Sequence, residues 1–199
     1  MSKILVDPPA VPLITLEEAK THERIDLDDA DNDLLIANQI EAATRLAEEF
    51  TRRAFITQTW EFRTSRITPI IEIPRPRLQA IEDDGVLTFT NWNDQQIVIQ
   101  PDTYFLDTIA EPGRLIFKQG ILPVIPFNVG WGWYPDLPPG YLTFTFRAGY
   151  GNDPEDVPWQ IKEAVLQIFG FLYENREGQP MAYGSIAHEL LFPFQVEYI

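Results

Sequence analysis

Asn32–Phe55 reads NDLLIANQIEAATRLAEEFTRRAF. Leu35 or Ile36, Ile40, Ala43, Leu46 or Ala47, and Phe50 return at helical spacing and make one apolar face. Glu41, Arg45, Glu48, Arg52 and Arg53 fall mainly outside that face. Acids gather before the segment and Arg52 and Arg53 close it, which suits the helix dipole. The spacing predicts a helix over 31–54. One apolar stripe needs partners, so the neighbouring segments decide the architecture.

Immediately upstream, RIDLDDADNDLL (Arg24–Leu35) holds Asp26, Asp28, Asp29, Asp31 and Asp33. A calcium loop of the EF-hand type needs oxygen ligands at alternate positions, Gly at position 6 and Glu at position 12. Counting from Asp26, those two positions are Asp31 and Ala37. Counting from Asp28, they are Asp33 and Gln39, so neither register works. A helix start accounts for the acids better: Asp29 or Asp31 caps, and the others face the positive end of the dipole. Five acids exceed what one cap uses, which leaves a surplus of surface charge.

Further upstream, Thr15 and Glu18 form a capping box for a short helix over 16–25, with Ile14 and Ala19 as a weak staple. Residues 1–14, with Pro8, Pro9 and Pro12, read as an extended arm. Downstream, ITQTWEFRTSRI, GVLTFTN, QQIVIQ, TYFLDT, GRLIFKQG and YLTFTFRAGYG are short strand-like runs set apart by turn residues. Trp60 and Trp92 read as core or edge residues of these strands. PRPRLQAIEDDG and LPVIPFNVGWGWYPDLPPG read as loops; Arg75 and Arg77 make the first a small basic island. DVPWQIKEAVLQIFGFLYENRE predicts a helix over 158–175, capped by Asp156, with Ile161, Val165, Ile168, Phe169 and Leu172 on its apolar face. Gly170 within it permits close packing at a propensity cost of roughly 1 kcal/mol.

Helix, helix, strands, helix is an α+β order. We expect a small helical bundle (15–54 and 155–176), an inserted antiparallel β domain of sandwich or barrel type (55–150) and a hydrophobic C-terminal tail (177–199). In the tail, Leu190, Leu191, Phe192, Phe194, Val196 and Tyr198 form an apolar strip that either folds back on its own core or docks into a partner.

The 199 residues are 45% hydrophobic and 13% aromatic, enough for a packed core. The chain has no cysteine, which excludes disulfides and thiolate metal sites. No apolar run reaches the ~20 residues of a membrane span, and no secretory segment opens the sequence, so a soluble protein made in a cytoplasm is expected. Net charge is −15, the reverse of a nucleic-acid-binding footprint. His22 and His188 are far apart, no Ser lies in a nucleophile elbow, and no HExxH, Walker A or GxGxxG motif occurs. With 30 acids, some carboxylate pair always lies at a glycosidase-like spacing, so such a pair means little. No catalytic residue, metal or cofactor is expected.

LITLEEAKTHERIDLDDADNDLLIANQIEAATRLAEEFTRRAFITQTWEF (Leu13–Phe62), then FTFRAGYG (Phe144–Gly151), then VPWQIKEAVLQIFGFLYENRE (Val157–Glu177) before a short hydrophobic tail resemble the gp6-like or gp8-like phage head–tail connector (adaptor) family of siphophages, prophages and gene transfer agents. The resemblance is weakest from about Leu87 to Pro139, and His22 and Glu23 depart from a usually more apolar end of the first helix. It implies a non-enzymatic virion protein at the head–tail interface, assembled in the host cytoplasm. Such adaptors form a ring, usually of twelve copies, between portal protein and stopper or tail-completion protein, through which DNA passes without specific binding or any membrane. On that resemblance, Leu190, Leu191, Phe192, Phe194, Val196 and Tyr198 are the portal contact and Asp26, Asp28, Asp29, Asp31 and Asp33 face the channel or a neighbouring subunit. Arg52, Arg53, Arg75 and Arg77 are then intersubunit cations. Two rival readings stand beside it. One is a β-module of a tail or baseplate protein binding carbohydrate or a receptor through Trp131, Trp133 and Tyr134; the other is an acidic DNA mimic.

Overall fold

The computed structural model of the protein describes residues 2–28, 30–91, 93–118, 140–175 and 185–197. Asp29, Trp92, Trp131, Trp133, Tyr134 and Tyr198 lie outside these, and so does the aromatic loop. The chain forms two compact units: a β unit from residues 2–8 and 58–149, and a helical unit from 9–57 and 150–197. The fold is α+β, with the β unit inserted between helices.

The helical unit contains α1 (Leu16–His22), α2 (Asp33–Thr51), α3 (Trp159–Glu174) and α4 (Ile186–Leu191), the last continued by a 3-10 turn over Phe192–Phe194. The capping box forms as expected: the Glu18 amide donates to Thr15 Oγ1 at 3.1 Å, and the Thr15 amide donates to Glu18 Oε2 at 2.7 Å. Helix α1 stops at His22 rather than Ile25, because Arg24 takes a left-handed conformation (φ 58). In α2 the choice between adjacent apolar residues falls to Ile36 and Ala47, buried with Ile40 and Ala43, while Leu34 and Leu46 are exposed. These meet Ile161, Val165, Ile168 and Phe169 of α3 and Leu13 and Ile14 before α1 in one core. Side-chain burial on this scale is the main source of stability in helices this short.

Several expected details are corrected. Asp31 does not hold the N-cap position of α2, and Asp29 lies outside the described residues. Asn32 holds that position without a side-chain bond, and backbone turns close the start, with the Asp33 amide donating to Ala30 O at 3.3 Å. Helix α2 ends at Thr51, and left-handed Arg52 (φ 59) takes the place a glycine would hold. Asp156 does not cap α3: it ends a preceding 3-10 turn (Pro154–Asp156) whose cap is Asp153, and its Oδ2 accepts the Asp153 amide at 3.2 Å, while Pro158 stands before the first turn of α3. Glu48, expected outside the apolar face, is buried: its Oε1 accepts the Phe55 amide at 3.0 Å and its Oε2 lies 3.3 Å from Arg45.

The β unit has β1 (Ser2–Asp7), β2 (Gln58–Thr64), β3 (Ile70–Ile73), β4 (Leu78–Ile81), β5 (Leu87–Asn91), β6 (Gln96–Ile99), β7 (Tyr104–Asp107), β8 (Gly113–Phe117) and β9 (Gly140–Ala148). One antiparallel sheet has the order β1-β2-β9-β5-β6, with β4 also on β9; a second has β3-β8-β7. Neither closes into a barrel among the described residues. The central strands alternate buried and partly exposed residues, which sends Trp60, Phe62, Phe144 and Phe146 inward. Two readings change here. Residues 2–7 are extended but not a free arm; they pair with β2, Ile4 opposite Glu61 and Leu5 opposite Trp60. PRPRLQAIEDDG is not only loop, since Leu78–Ile81 is a strand. Arg75 and Arg77 supply left-handed turns (φ 63 and 66) that proline-based reading does not anticipate.

Candidate functional site

Among the described residues no catalytic constellation stands out, and the candidate sites are surfaces. Among the described residues no three acidic or histidine side chains gather to hold a metal ion, and no helix is long and apolar enough to cross a membrane.

The C-terminal segment is the first surface. Its apolar strip divides by burial. Leu191 (2% exposed) and Val196 belong to the core of the helical unit, and Leu190 and Phe194 pack against it. Phe192 is 68% exposed, and Ile186, one α-helical turn and a half earlier, is equally free. Of the portal contacts expected from sequence that lie among the described residues, Leu191 and Val196 are occupied within the chain, and only Phe192 is mostly exposed.

What holds the segment down is the end of α2. Arg53 Nε donates to Phe194 O at 2.6 Å, Arg52 Nη1 to Val196 O at 3.4 Å, and the Val196 amide to Thr51 O at 3.1 Å. Phe50 meets the His188 ring edge-on, centroids 4.9 Å apart. A cavity of about 340 Å³ lies beside this contact, lined by Leu46, Phe50, Phe171, Leu172 and His188. Arg53, expected as an intersubunit cation, is buried and serves this internal latch; Arg52 serves it from the surface.

The acidic loop is the second surface. Asp26, Asp28 and Asp31 are exposed, and the Asp28 amide donates to Asp26 Oδ1 at 3.1 Å. Asp33 differs: its carboxylate lies 2.5 Å from the ammonium of Lys20, a residue only 3% exposed. Lys20 also donates to Leu27 O at 3.3 Å, so one buried cation of α1 fastens both ends of the loop. Sequence reasoning missed Lys20; its position four residues after Leu16, inside the short helix, was the available signal.

The Gly170 expectation is also sharpened. The group that comes close is not an apolar helix but the Glu23 carboxylate, whose Oε1 would lie 2.3 Å from a Cβ at that position. His22 Nδ1 sits 2.9 Å from the same oxygen, so the two residues that end the first helix meet here.

In the β unit, Arg75 is almost fully buried, its guanidinium 4.9 Å from the Trp60 ring centre, whereas exposed Arg77 pairs with Glu111 at 3.2 Å. Arg75 thus works inside its own unit rather than as a surface cation.

Residues 13–101 match the family model described as phage gp6-like head-tail connector protein. Three solved structures share the fold. A chain from the neck of an empty gene transfer agent particle, computed with C6 symmetry, aligns with TM-score 0.76 at 17% identity, covering 100% of this chain and 97% of that one. A chain from the virion of a native gene transfer agent particle gives 0.74 and 17%, with the same coverage. A chain from the neck of a native particle, computed with C12 symmetry, gives 0.67 and 16%, covering 98% and 97%. No curated protein matches the sequence.

Proposed function

We propose, from the match of residues 13–101 to the phage gp6-like head-tail connector model, that the protein is a non-enzymatic virion component that forms the adaptor ring between portal and tail. The observation that carries this reading is the family match itself; the neck structures that share the fold, computed with sixfold and twelvefold symmetry, support a cyclic assembly. Its place is the neck of the particle, with the portal protein on one side and a stopper or tail-completion protein on the other.

Charge is consistent with a conduit. Twelve copies at −15 each would present roughly −180 before counterions, and such a ring repels a DNA duplex rather than retaining it. Asp26, Asp28 and Asp31 are exposed loop acids that would face a channel or a neighbouring subunit's Arg residues. The exposed Phe192 and Ile186 on the latched C-terminal segment are the portal-facing groups.

The test is assembly of the purified chain with its portal, followed by electron microscopy and native mass measurement. A closed ring on the portal is expected, and Phe192→Ala should weaken it without altering the melting temperature. A chain that leaves portals bare at micromolar concentration would overturn the proposal.

A further inference from the structure

The larger sheet of the β unit ends on β1 at one side and β6 at the other, and no described strand flanks either on its outer side. The outward N–H and C=O groups of an edge strand are a template for another strand. Every step along β1-β2-β9-β5-β6 is antiparallel, so β1 and β6 run in the same direction. Side by side, two copies offer β6 of one to β1 of the next in a parallel pairing. That contact is heterologous and repeats from copy to copy, the kind that closes into a ring by rotation.

The side chains agree with the backbone. Cross-strand pairing sets Ile4 opposite Glu61 and Glu61 opposite Thr145; on the same face, Val98 lies opposite Thr88, Thr88 opposite Thr143 and Thr143 opposite Arg63. Along these rows the face is polar across its middle and apolar at its two borders, where Ile4 is 60% and Val98 54% exposed. Placing Val98 beside Ile4 also places Ile99 beside Leu5 on the opposite face. A shift of one residue would set each apolar side chain against the wrong face. A bulge between Leu5 and Asp7 shifts the register before Asp7 pairs with Thr59, so the regular run of β1 is residues 2–5, equal in length to the four residues of β6.

We propose that β6 of one copy adds to β1 of the next, continuing the sheet around the assembly. The inference rests on the ring reading above and names the surface by which its subunits join. Five strands at about 4.8 Å spacing give ~24 Å per copy; twelve copies would make a circle of ~46 Å radius, wide enough for an open centre.

The chain has no cysteine, so introduced thiols report on one contact alone. The variant carrying both Ile4→Cys and Val98→Cys is assembled on the portal and treated with a short bismaleimide. A covalent ladder extending beyond the dimer is expected from the double variant and from neither single variant. Val98→Asp, at an exposed position, should lower assembly at least tenfold with an unchanged melting temperature. Rings visible by microscopy without a ladder would overturn the strand addition and leave the ring reading intact. Absence of any ring would overturn both. Dimers from Ile4→Cys alone, or cross-links to the portal, would assign the edge to a different partner and overturn the proposal.

Discussion

Arg53 Nε donates to the Phe194 carbonyl at 2.6 Å across 141 residues of sequence. This bond joins the end of the long helix to the C-terminal segment, and the Val196 amide on Thr51 O reinforces it. An apolar strip that could have been a free arm is thereby made part of the helical unit, with Leu191 inside and Phe192 outside.

Replacing Arg53 by Ala removes a charged donor from a partly buried carbonyl. Stability should fall by about 1.5–3 kcal/mol, the range for hydrogen bonds to charged groups. Urea unfolding measures the loss, and limited proteolysis should cut the segment after Ser185 first. An unchanged urea midpoint would show that the latch does not hold the segment.

Leu191→Ala and Phe192→Ala, adjacent in sequence, should behave oppositely. The first opens a cavity and costs about 2–5 kcal/mol. The second changes a surface ring and stays within about 0.5 kcal/mol, yet lowers portal binding. Thermal melts beside a portal co-sedimentation assay separate the two effects.

Within the acidic loop, Asp33→Ala leaves the Lys20 ammonium buried without its carboxylate and should cost about 1–3 kcal/mol. Asp28→Asn should leave the melt unchanged. Equal effects of the two in chemical denaturation would contradict the distinct environments of these acids.

Thr15→Ala removes one half of the capping box and should destabilise by about 1 kcal/mol. Burial pushes the Glu18 carboxyl up, but the Thr15 bonds and the nearby Lys162 ammonium outweigh it, so its pKa lies below its ordinary value. A carboxylate lowered on folding stabilises above its unfolded pKa, and that contribution is lost as pH falls through the folded value. The stability difference between the native chain and Glu18→Gln should therefore shrink on acidification through the carboxylate range. A difference independent of pH would contradict this origin.

Periodicity alone identified the α2 and α3 helices, the apolar faces they bury, the Thr15–Glu18 cap and most strands, because each depends on residues within a few positions of one another. It could not choose between Leu35 and Ile36, nor see that Glu48, Arg53 and Arg75 are buried, since charged residues are placed inside only by partners distant in sequence. Arg52, Arg75 and Arg77 hold left-handed turns that no glycine announces. The same limit applied at the two ends. Composition determined that residues 2–7 are extended and that the C-terminal strip is apolar. Only the tertiary structure decided that the first is an edge strand against β2 and that the second is latched by Arg53, because both depend on pairings whose partners lie more than fifty residues away.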